Sequence, residues 1–338
     1  MKNLIMGLVL IVGGISLTGC DGFTRKIEVD YSDLETKGVL IGVLSNSDDR
    51  DSVFRGPYDY SSSLKGPHDN RIYVSNSRPP GWLRDLYYNA QVHLESEGRE
   101  LPLTFVDMDD ESYNYSSYFG VEENLVPGRV YEVYAEFDPE SAPMYVRHWS
   151  PVSARDTMPS LVEFTVRDIH LEYDEGNYWA TPASGYIDIQ LKDEENRTNM
   201  YLIDVSASFE SDTLYPNDDQ FIVQGSIDRP DRTTDLDLFF VSRNNLFHEE
   251  DFTPEGNKRI HFRFRETYGS HDRSKGATLF VRVSNLSNNY IHFQQSSQQY
   301  DTNRENPFAE PVEIYTNVKN GYGIFALMAR NYVEVKVN

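Results

Sequence analysis

One cysteine, Cys20, is all the thiol in 338 residues, and once it is modified none remains. Disulfides, cysteine-ligated zinc and thiolate catalysis are thereby excluded, and stability must come from packed cores. Positive charge is also scarce. Thirty-one Lys and Arg stand against 54 Asp and Glu, a formal charge of −23. Such a surface repels phosphate backbones and anionic headgroups, which argues against nucleic acid as a partner. The eight histidines are scattered, without His-Glu-x-x-His or a close pair at ligand spacing. His261 sits in the strand-like Ile260-His261-Phe262-Arg263-Phe264 and reads as an ordinary strand residue. Ser270-His271-Asp272 is no triad, because adjacent residues cannot converge as nucleophile, base and orienter. Gly321 and Gly323 lack the third glycine of a dinucleotide loop, and a turn before the last strand is expected there.

What is present begins with a short apolar leader. Lys2 is a minimal positive region, Leu4 to Val12 the hydrophobic stretch, and Leu17-Thr18-Gly19-Cys20 closes it. From Leu4 to Gly19 there are too few apolar residues to cross a bilayer core that needs ~20. A cysteine after small residues at the end of such a run is the bacterial lipoprotein acceptor, cleaved on its amino side. Cys20 is therefore expected to carry lipid and to hold the protein at a membrane, since two or three acyl chains anchor stably. A generic secretory leader with an incidental cysteine is the other reading.

Without residues 1–19 the chain has 319 residues, above the ~250–300 at which one core stops growing, so two domains are expected. Period-two alternation dominates. Ala90, Val92 and Leu94 share a face, Ser96 to Arg99 holds a glycine turn, and Leu101, Leu103 and Phe105 repeat the pattern as a hairpin. Pro127-Gly128 opens a strand with Tyr131, Val133, Ala135 and Phe137 on one side. Ser150 to Pro159 is polar, carries two prolines and no apolar period, and is expected to be a linker. Beyond it, Ile187, Ile189 and Leu191 alternate, then Tyr201, Ile203 and Val205; later strands are expected at 221–223, 260–264, 278–283 and 332–337. One helix is expected after Ser287 as cap, with Leu286, Tyr290, Phe293 and Tyr300 on a stripe. The expectation is an all-β fold of two sandwich-like domains with one short helix near the C-terminus.

Candidate sites are few. Asp107, Asp109, Asp110 and Glu111 put four carboxylates within five residues. An EF-hand is excluded, because its sixth position would be Ser112 and its twelfth Tyr118, but a looser calcium site drawing on Glu122 and Glu123 stays open beside a plain solvated turn. Tyr113 and Tyr115 follow directly and are candidates for ligand or partner contact, or for one face of a strand. Tyr58 and Tyr60, inside the long irregular segment Ser45 to Asn70, are the better candidates for exposed contact.

The order of pieces resembles a lipoprotein family of the Bacteroidota, the domain-of-unknown-function family four-two-four-nine. The lipid cysteine is followed by Ile27-Glu28-Val29-Asp30, Val39-Leu40-Ile41-Gly42-Val43-Leu44, Ile72-Tyr73-Val74-Ser75-Asn76-Ser77 and Asn89-Ala90-Gln91-Val92-His93-Leu94. Pro127-Gly128-Arg129-Val130-Tyr131 matches a strand opening. The closing stretch is the most specific: Asn306-Pro307-Phe308-Ala309-Glu310-Pro311-Val312, Ile314-Tyr315-Thr316-Asn317-Val318 and Gly321-Tyr322-Gly323-Ile324-Phe325. The resemblance implies an immunoglobulin-like front domain, a β-rich rear domain and a place beside TonB-dependent outer-membrane transporters. It supplies no catalytic residues.

The expected organisation is a signal peptide over 1–19, a lipid-anchored tether and first strand over 20–35, an immunoglobulin-like sandwich over 36–155 and a β-rich domain over 156–338. The expected function is a non-enzymatic outer-membrane lipoprotein, a ligand-binding or accessory subunit of a TonB-dependent nutrient transporter. A structural envelope protein and a surface hydrolase with dispersed carboxylates remain as alternatives. Asp21 to Lys26 forms a poor surface-export signal, so the membrane face stays open. Asp156-Thr157-Met158, like Asp51-Ser52-Val53 and Asp212-Thr213-Leu214, resembles an O-glycosylation acceptor. A tripeptide so loose arises by chance about once in such a chain.

Overall fold

Alternating side chains translate into strands almost everywhere the chain is described. The computed structural model describes residues 37–46, 70–76, 90–106, 118–137, 150–173, 183–192, 199–210, 220–228, 245–264, 277–304, 310 and 312–337. Among the described residues the fold is all-β with one α-helix, as expected, and no helix is long and apolar enough to cross a membrane.

The first half supplies β1 (Gly38–Ser45), β2 (Arg71–Asn76), β3 (Ala90–Ser96), β4 (Arg99–Leu101), β5 (Leu103–Val106), β6 (Tyr118–Val121), β7 (Val130–Phe137) and β8 (Val152–Thr157). One sheet runs β4-β3-β7-β8, and the other begins β5-β6-β2-β1. Leu40, Leu44, Ile72 and Val74 of the second pack against Leu94, Val133, Ala135, Val152 and Ala154 of the first. The β3–β4 turn places Glu97 at φ 54° and Gly98 at φ 76° between the paired Ser96 and Arg99, the two-residue geometry whose twist matches a hairpin. The strand expected through Leu101, Leu103 and Phe105 is two strands instead. Pro102 has no N–H to continue the ladder on β3, and after it the chain crosses to pair with β6.

The expected linker is corrected in the same way. Residues 152–157 form β8, with Val152, Ala154 and Asp156 all turned inward. The third inward position is a hydrogen-bonded carboxylate, and that single polar residue hid the alternation. The expected division at 155/156 therefore falls inside a strand.

The second half supplies β9 (Glu163–Tyr173), β10 (Ala183–Lys192), β11 (Met200–Glu210), β12 (Gln220–Asp228), β13 (Leu246–His248), β14 (Asn257–Phe264), β15 (Ala277–Leu286), α1 (Asn288–Arg304) and β16 (Gly321–Val337). The order continues β1-β16-β15-β11-β12-β14-β10-β9, with β13 on β11. β12 is the corner: residues 220–224 pair with β11 and residues 225–228 with β14. Two layers result, and Ile187, Ile189, Ile260 and Phe262 face Ile203, Val205, Leu279 and Val281 across a second core. At the open side Asn331 donates to the Val162 carbonyl at 3.0 Å.

β16 serves both cores, Phe325, Leu327 and Ala329 lying in the first and Val333 and Val337 against the second. It runs parallel to β1 and antiparallel to β15. Gly321 and Gly323 do not form the turn expected from their spacing; they lie inside this strand. A Cβ on Gly323, at φ 112°, would sit 2.0 Å from the Leu40 carbonyl oxygen, so only glycine lets β1 approach.

Three asparagines act as strand substitutes around this seam. Where β2 has not yet begun, Asn70 accepts from the Ser45 N–H at 2.7 Å and donates to its carbonyl at 2.8 Å. Where β1 has ended, Asn46 does the same for Arg330, at 2.7 and 2.9 Å. Before β15 reaches β16, Asn317 does it for Phe325, at 3.0 and 2.7 Å. A carboxamide presents donor and acceptor side by side, as a peptide does, and leaves neither backbone group orphaned.

Candidate functional site

Cys20, Tyr58, Tyr60, Asp107, Asp109, Asp110, Glu111, Tyr113 and Tyr115 all lie outside the described residues. Glu122 and Glu123, the carboxylates expected to assist a calcium site, are engaged by the Thr104 hydroxyl and the Arg99 guanidinium. Among the described residues no three His, Cys, Asp or Glu side chains converge as a metal site.

Two other constellations emerge, one exposed and one buried. On the outer face of β9, β10 and β14, register places His170, Tyr186 and His261 in one row and Asp168, Asp188 and Arg259 in the next. Arg167 is the extra residue of a bulge beside them. The Tyr186 ring stacks on His170 at 5.4 Å, and the Arg259 guanidinium lies 3.9 Å over it. Arg259 also grips Asp188 with two bonds of 2.7 Å, which pulls the Asp188 carboxyl below the usual range and pushes Arg259 up. The Tyr186 hydroxyl reaches Asp168 at 3.3 Å. Each pair is worth little on its own in water. Together they hold the half-buried Tyr186 and the exposed Arg259 and His170 in one arrangement, and tyrosine and arginine are residue types that anchor protein contacts with little entropy left to lose.

The buried constellation lies on the opposite side of the central sheet from its cores, beneath α1. Ser287 caps the helix, accepting from the Tyr290 N–H at 3.4 Å, and its carbonyl accepts from Ile291. Tyr290, Ile291 and Phe293 pack on Leu202, Leu286, Ile324 and Met328, while Tyr300, expected on the same stripe, is 39% exposed. Further along the sheet the surface turns polar without becoming exposed. Arg330 pairs in register with Ser284, and Arg282 with Asp204; all four are buried. Arg282 donates twice to Asp204 Oδ2, at 3.0 and 2.8 Å, and Asn245 donates to Oδ1 at 2.8 Å. The helix answers with Gln294 and Ser297, both buried. Burial raises the Tyr290 hydroxyl's pKa; neighbouring Gln294 and Arg330 pull it down and Asp204 pushes it up. The sequence reading singled out none of Asp204, Arg282, Ser284 and Arg330. The available signal was Leu286 and Phe280, apolar residues on the face of β15 that also carries Arg282 and Ser284.

A third polar point joins these parts. Asp156 accepts from Thr157 N–H and the Asn289 amide, both at 2.9 Å, and from Leu327 N–H at 2.8 Å, with the Ser287 hydroxyl beside it. Asn289 in turn accepts from the Tyr315 hydroxyl at 2.7 Å. Burial pushes the Asp156 carboxyl up to about 6, against the pull of those donors. Burial, and then the Asp156 charge, raise Tyr315. Thr157 itself is exposed, but Asp156 and Met158 on either side of it are buried.

Sheets packed face to face, a single capped helix and polar groups spent on holding strands together define an all-β, sandwich-like protein. The chain belongs to the family described as Domain of unknown function (DUF4249), matched over residues 62–331. No curated protein matches it.

Proposed function

We propose that this protein is an outer-membrane lipoprotein that binds rather than catalyses, as an accessory or ligand-capturing subunit of a TonB-dependent nutrient transporter. The observation that carries the reading is Leu17-Thr18-Gly19-Cys20 at the end of a short apolar leader, in a chain of the DUF4249 family. Support comes from the cluster of Tyr186, His170 and Arg259 on adjacent rows, held together by stacking and cation–π contacts. A front sandwich that ends with β8 and a rear one that begins with β9 stay part of this reading, with β16 as the strand they share. The front domain is read as immunoglobulin-like. Its strand orders, β1-β2-β6-β5 and β4-β3-β7-β8, follow that topology, and the Tyr131 hydroxyl accepts from the Val126 N–H at 2.6 Å as a tyrosine corner does.

Affinity purification from membranes solubilised in mild detergent tests the assignment. A barrel transporter with a plug domain is the expected companion; its absence under conditions that preserve other envelope complexes refutes the accessory role. Turnover of a substrate by the purified protein would instead select the hydrolase alternative.

A further inference from the structure

Among the described residues, four polar atoms between α1 and the central sheet have no partner at hydrogen-bond distance and angle: Tyr290 Oη, Gln294 Nε2, Ser297 Oγ and Ser284 Oγ, with Gln294 near enough to the Tyr290 hydroxyl to draw its pKa down. Their residues are 0%, 4%, 3% and 0% exposed. Tyr290, Gln294 and Ser297 are spaced four and three apart, so they share one helix face, and that face meets the sheet. Ser284 answers from β15, between Leu202 and the buried Arg330 in register. Each unsatisfied buried group costs about as much as a lost hydrogen bond, so four along one seam need an occupant.

We propose that this seam is a binding site for a small oxyanion, a carboxylate, sulfate or phosphate group, clamped between α1 and the sheet. The chemistry of the open groups selects that class. The Gln294 Nε2 only donates, and the three hydroxyls each have a proton to give. An oxyanion accepts several such bonds and needs no acceptor in return, whereas a water must place two protons of its own. The Arg330 guanidinium acts on the Tyr290 hydroxyl, less strongly than the Asp204 carboxylate, which is itself paired with Arg282. Asp204, the carboxylate that also acts on Tyr290, has both oxygens engaged, by Arg282 and Asn245, and leaves the seam's donors to the guest. α1 is the cover. Its first turns are fixed by Tyr290, Ile291 and Phe293 on an apolar floor, while Gln294 and Ser297 lie on the polar part that the guest completes.

The full mature lipoprotein in detergent is crystallised twice, without added oxyanions and with sodium selenate. The expected result is a bound oxyanion in the first crystal or a selenium anomalous peak in the second, within hydrogen-bond distance of Gln294 Nε2 and Tyr290 Oη. Water alone in both crystals overturns the proposal. In parallel, sulfate is titrated against chloride at matched ionic strength and melting is followed in wild type, Gln294→Leu and Ser297→Ala. A saturable rise of roughly 5 °C is expected in wild type, because a ligand that binds only the folded state stabilises it by mass action. Gln294→Leu should lose that rise while melting no lower in chloride, since it removes an orphaned donor; Ser297→Ala, a smaller change, should blunt it. An equal rise in all three proteins places sulfate elsewhere and overturns the assignment.

Discussion

Replacing Asp156 by asparagine should make stability respond differently to acid, and the size of the difference follows from its surroundings. The carboxyl is 7% exposed and faces only neutral groups: Thr157 and Leu327 N–H, the Asn289 amide, and the Ser287 and Tyr315 hydroxyls. Its folded-state value of about 6 lies above the ~3.9 of an unfolded aspartate, so the folded protein holds the proton more tightly. The group's favourable contribution is therefore complete below about pH 4 and is lost as pH rises through about 6. The full span is about 3 kcal/mol, of which about 2 kcal/mol falls between about pH 7 and pH 4.5. The substituted carboxamide cannot titrate and turns its NH2 toward the Leu327 N–H, a pH-independent loss of about 1–3 kcal/mol. Urea denaturation of both proteins at the two pH values, taken as a difference of differences, cancels the other carboxylates. Wild type should pull ahead of Asp156→Asn by about 2 kcal/mol on acidification. A gap that stays constant within about 0.5 kcal/mol, or narrows, refutes the account of a buried, cation-free carboxylate.

Removal of Asp204 by alanine leaves the Arg282 guanidinium, 1% exposed, without this partner and should cost about 3–5 kcal/mol in the same assay. Asn317→Asp keeps the shape but deletes the donor to the Phe325 carbonyl, and a loss of about 1–3 kcal/mol is expected; no loss would show that the amide is not substituting for a strand. Gly323→Ala places a methyl on the Leu40 carbonyl and should destabilise by more than about 2 kcal/mol, read as a drop in melting temperature. Cys20→Ser should move the protein from the membrane to the soluble fraction on cell fractionation, and unchanged membrane retention would remove lipid as its anchor.

Local rules in the sequence carried most of the strands. Ile187, Ile189 and Leu191 are buried where alternation put them, as are Tyr131, Val133 and Ala135, and Ser287 caps the helix it was expected to cap. Failures occurred where polar side chains do backbone work. Asp156 occupies an inward strand position and made β8 read as a linker; Asn46, Asn70 and Asn317 look like loop residues and complete a sheet. The parallel pairing of β1 with β16 links residues almost at opposite ends of the chain, and no local pattern encodes it. Nor does alternation reveal that the second face of β11, β15 and β16 is roofed by a helix. For that reason Asp204, Arg282 and Arg330 were not singled out from the sequence. Tyr58, Tyr60, Tyr113, Tyr115 and the carboxylates of Asp107, Asp109, Asp110 and Glu111 fall outside the described residues.

Under the proposed lipid anchor at Cys20, the parallel seam between β1 and β16 has a mechanical consequence. A pull from such an anchor would enter the described strands at Gly38 and run along eight register pairs with the seventeen-residue strand β16. Loaded lengthwise, those bonds share the tension at once instead of parting one by one. The load passes from the front sandwich straight into the floor of the rear one.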